Sequence, residues 1–228
     1  SLATSSAQSV STLSWSHTAA GTDRLGIIDI CITPDTVSVS TVEWGSGNTA
    51  ALVTTAVNAD VVEMWRRIAP PASAQTILVN LTSTVTSILG ASRNYTGADQ
   101  TTPLGSPSTS TANSADSSVT VTSASGELVI DTSGFDNDVA STPGAGQTER
   151  YDQAPFGTSH RGSDEAGAAS VVMSHAMAGA ANDWQIIGVS IKPVAGGAAQ
   201  SFMIFPVRMD AIGHGGIFPG NRVQDKMK

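Results

Sequence analysis

The stretch Asp183–Pro193, DWQIIGVSIKP, decides the fold. Read as a strand, it sends Trp184, Ile186, Gly188, Ser190 and Lys192 to one face. Gln185, Ile187, Val189 and Ile191 go to the other, because side chains alternate along an extended chain. The centre is apolar on both sides, which suits a strand inside a packed sheet. Pro193 ends the strand, having no N–H to give to a ladder. Two earlier runs share this form: Arg24–Pro34 (RLGIIDICITP) and Val61–Pro71 (VVEMWRRIAPP). All three are expected to be central strands of one sandwich that closes at Pro193.

The 228 residues include 13% charged and 5% aromatic side chains, with apolar residues at 40% in strand-sized runs. That composition is globular rather than disordered, and the length suffices for a sizeable core. Cys31 is the single cysteine, so no intrachain disulfide forms; its apolar run predicts a buried, inert thiol. Net charge is −8 and the pI about 4.7, which argues against general nucleic-acid binding. Residues 1–195 hold seven Lys and Arg against seventeen Asp and Glu. Residues 196–228 reverse the sign: Arg208, Arg222, Lys226 and Lys228 stand against Asp210 and Asp225. A basic tail on an acidic body points to a tail with its own partner. No run of 18 apolar residues exists, so no transmembrane helix and no membrane partner are expected. SLATSSAQSV lacks the regions of a signal peptide, and the chain is expected to be used without Sec export.

Turn signals recur about every 8–12 residues, the spacing of a β-sandwich or jelly roll. Examples are Ala19–Asp23, Pro34-Asp35, Gly45–Asn48, Asn58–Asp60 and Pro70–Ser73. Strands are expected over 9–17, 24–33, 36–44, 50–57, 61–69, 75–82 and 84–95. Residues 96–118 read as a long polar loop. Residues 119–122 and 127–132 read as a strand pair. Loops over 136–146 and 154–167 flank a short strand at 147–153, and strands at 168–177 and 183–192 close the domain. No fixed-period repeat is visible in the sequence.

The segments SHTAAGTDRLGIIDICI, VEMWRRIAPP, SGELVIDT, DEAGAASVVMS and DWQIIGVSIKP together resemble a β-sandwich domain of phage virion proteins and bacterial surface proteins. That domain is similar in plan to lectin-like jelly rolls. The resemblance covers about residues 9–194. It implies a structural or adhesive role, in a virion assembled in the host cytoplasm or on a cell surface.

Reactive residue types gather in Ser159, His160, Ser163, Asp164 and Glu165. Triad members usually come from distant segments, and no GxSxG elbow is present. These residues therefore read as a solvated loop, and no catalytic residue is assigned. Asp131, Asp136, Asn137 and Asp138 supply oxygen ligands of the kind Ca²⁺ takes, off the EF-hand spacing. The same residue types are favoured in turns, so no metal or cofactor is assigned. His17, His160, His175 and His214 are too scattered for zinc. A glycan platform would need exposed aromatics. Trp15, Trp44, Trp65 and Trp184 fall within or at the ends of strands and read as core, leaving Tyr151 and Phe156 as the exposed candidates. Asn80 and Asn94 open glycosylation sequons, relevant only to a secreted eukaryotic protein.

The tail departs most from the rest. After the flexible GGAAQ (196–200) comes SFMIFPVRMDAI, with Phe202, Met203, Ile204, Phe205, Val207, Met209 and Ile212. Such a run needs cover, from its own domain or from another chain. The expected plan is an all-β antiparallel sandwich or jelly roll. An N-terminal arm spans 1–8, a sandwich domain 9–195 and a C-terminal assembly arm 196–228. The expected function is non-enzymatic: a decoration or other accessory protein of a phage-like particle, docking other virion proteins or copies of itself as a homo-oligomer. The alternative is a carbohydrate-binding or adhesion module.

Overall fold

Antiparallel pairing joins every strand in the computed structural model, which describes residues 1–195 except positions 139 and 180. The described residues form sixteen strands and no helix, which bears out the all-β class. The first eight are β1 (Leu2–Gln8), β2 (Thr12–Thr18), β3 (Leu25–Thr33), β4 (Val39–Trp44), β5 (Ala51–Val57), β6 (Val61–Ile68), β7 (Ala74–Leu81) and β8 (Ser87–Tyr95). The second eight are β9 (Ser108–Ser114), β10 (Asp116–Val121), β11 (Leu128–Phe135), β12 (Ser141–Pro143), β13 (Thr148–Gln153), β14 (Ser159–Ala166), β15 (Val171–Met177) and β16 (Asn182–Ile191).

The strand orders reveal a duplication. The first half makes a five-stranded sheet β1-β8-β3-β6-β5 and a three-stranded sheet β2-β7-β4. The second half makes β9-β16-β11-β14-β13 and β10-β15-β12. Adding eight to each label of the first half reproduces the second. In each half the first strand pairs with the eighth, the second with the seventh and the third with the sixth, as in a jelly roll. The one expected sandwich is thus two sandwiches of the same winding, and the repeat lies in topology rather than in residue identity.

The layers stack three, five, five, three. Trp15, Trp44, Ile77 and Val79 pack on Ile28, Ile30, Ile32 and Ile88 in the first outer core. Val119, Val121 and Met173 pack on Val129, Phe135, Trp184 and Ile186 in the second. A middle core joins the two five-stranded sheets: Leu25, Ile27, Cys31, Val62, Met64 and Leu89 meet Ile130, Ile187, Val189 and Ile191. Both inner sheets are therefore covered on both faces. This is why β3 and β16 are apolar in both registers: Ile28 and Trp184 face outer cores while Ile27 and Ile187 face the middle one. The middle layers approach closely at Gly134. A Cβ there would lie 2.7 Å from Val62 Cγ2 and 2.9 Å from Cys31 Sγ, closer than any side chain tolerates.

Several local expectations are corrected. Residues 2–8 are a strand along β8 rather than an arm, with Leu2 opposite Arg93 and Gln8 opposite Ser87. The polar run 96–118 contains β9, which pairs with β16 as a Ser/Thr-rich sheet edge. The polar run 154–167 contains β14, buried between β11 and β13. Residues 119–122 and 127–132 do not pair with each other: β10 pairs with β15, and β11 with β14 and β16. The turn between them crosses from an outer to an inner sheet. The tail residues Phe202, Met203, Ile204, Phe205, Val207, Met209 and Ile212 lie outside the described residues.

Candidate functional site

The reactive side chains are drawn into the layers. Alternation along β14 sends His160 and Asp164 toward the middle layer and Ser159, Arg161 and Ser163 toward the second outer core. Ser159 and His160 thus point apart, and Ser159 Oγ donates to the Asn137 carbonyl at 2.6 Å. His160 Nε2 lies 3.0 Å from Thr132 Oγ1 and 3.2 Å from Tyr151 Oη, with those two oxygens 2.9 Å apart. Burial first, then the charges of Arg93 and Arg161, hold the His160 imidazole down to about 3. It is neutral at ordinary pH. Asp164 accepts both guanidinium bonds of Arg150, at 2.5 and 2.7 Å. Glu165, next on the strand, is only half-buried. The expected solvated loop is a buried strand because these polar groups find partners inside.

A second network centres on Asp131. Its carboxylate accepts from the Ser163 backbone at 2.6 Å, from Ser163 Oγ at 2.9 Å, from His175 Nε2 at 3.1 Å and from Gln147 Nε2 at 3.3 Å. Burial alone would raise this carboxyl; His175 and the Ser163 N–H outweigh it and hold the group below its usual range. Ser, His and Asp meet here in the wrong order for acyl transfer. Serine and histidine both bind the carboxylate, whereas a triad needs the imidazole between them. All three side chains are fully buried.

Arg93 is the cross-layer hub. It lies 2.8 Å from Asp29 Oδ2 in its own half. It donates to the carbonyls of Asp131 and Ser163 in the other half at 2.9 and 3.3 Å. Its guanidinium carbon sits 5.5 Å from the Tyr151 ring centroid and 6.0 Å from that of Tyr95. Burial raises the Asp29 carboxyl against the pull of this cation. The sequence marks neither, since Asp29 is a lone charge in an apolar run and Arg93 a lone charge between Ser92 and Asn94.

One end of the stack is strongly acidic. The turns and strand ends there place Asp35, Asp60, Asp116, Asp136, Asp138 and Asp183, with no Lys, Arg or His in those segments. Asp60 accepts from Thr33 Oγ1 at 2.5 Å, and Thr33 also contacts Thr158 of the other half at 3.1 Å. Burial, together with Asp136 and Asp35, pushes Asp60 up to about 6. Asp136 is raised by burial and by Asp183. The suggested calcium ligands do not converge. Asp131 lies in the second outer core, five residues up the strand from Asp136, roughly 16 Å along an extended chain. Among the described residues no group of three His, Cys, Asp or Glu is placed to hold a metal ion.

Of the two suggested exposed aromatics, Tyr151 is buried and only Phe156 is exposed. Phe156 and Gly157 have φ of 67° and 75°, and Thr158 N–H closes onto the Pro155 carbonyl at 3.4 Å. This is a primed turn, whose first central position normally takes Asn, Asp or Gly. Holding a phenyl-bearing residue there costs about 1–3 kcal/mol. The other seven described aromatics, the four tryptophans included, are buried. An open groove of about 560 Å³ runs between β9 and β10, lined by Ser108, Thr109, Ser110, Ser118, Val119 and Thr120. It holds no titratable side chain.

No protein-family model matches the chain, and neither a curated protein nor a solved structure matches it.

Proposed function

We propose that this chain is a non-enzymatic structural protein of a phage-like particle, a capsid decoration or other accessory virion component, that joins its assembly through residues 196–228. The observation that carries this reading is where the reactive side chains lie. Ser159, His160, Ser163, Asp131 and His175 are fully buried. Each is committed to bonds that tie strands and layers together, so none is left facing solvent for chemistry. Beyond the described residues lies a 33-residue segment, 196–228. Its run Phe202–Ile212 carries seven large apolar side chains and needs a surface to cover it. Its positive balance against an acidic body favours a contact with like copies or with another acidic shell protein. Among the described residues the single exposed ring, Phe156, is a thin basis for a glycan platform, which sets the carbohydrate-binding alternative second.

Deletion of residues 196–228 tests the proposal. The last strand among the described residues ends at Ile191. The shortened chain is therefore expected to keep its β circular dichroism and to lose self-association or particle binding. Full retention of assembly by a folded, shortened chain would refute the role of the arm.

A further inference from the structure

Eight strands edge the four sheets, and four of them are guarded against pairing with another chain. β13 carries Glu149, Arg150 and Asp152, β4 carries Glu43, β10 carries Asp116 and β12 ends at Pro143. Charges and proline are the usual guards of a sheet edge. The other four, β1 (LATSSAQ), β2 (TLSWSHT), β5 (ALVTTAV) and β9 (STSTANS), hold no Asp, Glu, Lys, Arg or Pro, and β5 and β9 share one flank of the middle layers. Asn58, just after β5, donates to the Ala112 carbonyl of β9 at 3.1 Å, so the two edges lie together. β9 is polar, but β5 is not. Five large hydrophobic residues are exposed among the described residues, and two of them, Leu52 and Val57, lie in β5, against one, Leu2, in β1 and none in β2 or β9. The exposures of Leu52 and Val57 are 48% and 50%. A register shift between Leu52 and Thr54 leaves Thr54–Val57 as the regular part of the strand.

We infer that the β5 edge is the acceptor for residues 201–205, SFMIF, of a second copy of this chain, added as an antiparallel strand. The inference rests on the proposed docking role of the tail and names its receiving surface. The donor is uncharged, alternates Phe202 and Ile204 against Met203 and Phe205, and stops before Pro206. Its length suits the four regular residues of β5. Strand addition satisfies the backbone groups of both partners, and the apolar side chains cover Leu52 and Val57.

The chain's own exit point selects the second copy over the same molecule. Val194 N–H bonds to the Gly97 carbonyl, and Ala98 bridges Pro193, which puts the exit at the Leu25–Tyr95 end of the first inner sheet. β5 starts at that end, with Ala51 opposite Arg66 and Arg66 opposite Ile27. The GGAAQ linker spans at most about 17 Å when extended. A tail from the same molecule can therefore reach only the near end of β5 and run parallel to it. Every pairing among the described residues is antiparallel, and parallel pairing is the weaker form. A second copy meets no such constraint.

The test is complementation between two full-length variants, followed by sedimentation velocity with circular dichroism as the fold control. Leu52→Lys/Val57→Lys spoils the acceptor and keeps the donor. Phe202→Asp/Ile204→Asp spoils the donor and keeps the acceptor. Wild type is expected to self-associate, each variant alone to sediment as a monomer, and the mixture to form a one-to-one complex. Wild-type-like association of the β5 variant overturns the inference and leaves the arm's role standing. Wild-type-like association of the tail variant overturns both. A mixture that stays monomeric, or a wild type that never associates, overturns the inference.

Discussion

Arg93→Met is expected to cost about 3–5 kcal/mol of folding stability, the usual price of stripping one partner from a buried ion pair. The residue is 2% exposed. It neutralises Asp29 and serves two carbonyls of the opposite half. Methionine fills much of the volume but leaves the Asp29 carboxylate buried beside no cation and both carbonyls without their donor. Adding Asp29→Leu is expected to recover most of the loss, because removing both charges avoids the desolvation that only the pair offsets. Urea unfolding of wild type, single and double variants decides the matter. A single change costing under about 1 kcal/mol would mean that Arg93 does not hold the halves together.

The second large effect is a pH dependence carried by His160. Its folded value is about 3, against about 6.5 for an exposed histidine. The unfolded chain therefore binds more protons throughout that interval. Stability rises with pH across it, is fully present above 6.5 and is lost as pH falls through 3. At about 1.4 kcal/mol per pH unit the contribution is several kcal/mol. Asp60 works in the opposite sense. Its folded value of about 6 exceeds the ordinary 3.9 or so. Its contribution is present below that ordinary value and lost as pH rises through 6. Wild-type stability alone therefore mixes these slopes with those of Asp29, raised like Asp60, and His17, lowered like His160. The difference between wild type and His160→Gln removes the other slopes and is expected to grow steadily from pH 4 to pH 6.5. A difference independent of pH would show that His160 is not buried as a neutral ring.

How much of this was legible in the sequence follows from which residues are apolar. β3, β6 and β16 were legible because a short run that is apolar on both faces and closed by proline fits a strand covered from both sides. Ile187 and Trp184 take the faces that alternation assigns them. The run at Asp183–Pro193 also held a clue to the layering, since two covered faces on several strands need more than two sheets. β14 was hidden because SHRGSDEA buries polar side chains whose partners, Asp131, Thr132, Arg150 and Tyr151, are far off or on other strands. No local pattern encodes that. β9 was hidden because an edge strand of Ser, Thr and Asn has the composition of a loop. The duplicated winding was invisible for a similar reason: pairing order is conveyed by contacts across the chain, and Ile28 and Asp131, at equivalent places in β3 and β11, share no chemistry.

Calorimetry of the intact chain tests the central claim, that the buried polar and apolar middle layer makes two like-wound sandwiches a single folding unit. A single endotherm is predicted, with calorimetric and van't Hoff enthalpies equal. Two resolved transitions, with residues 108–191 melting apart from residues 2–95, would contradict it.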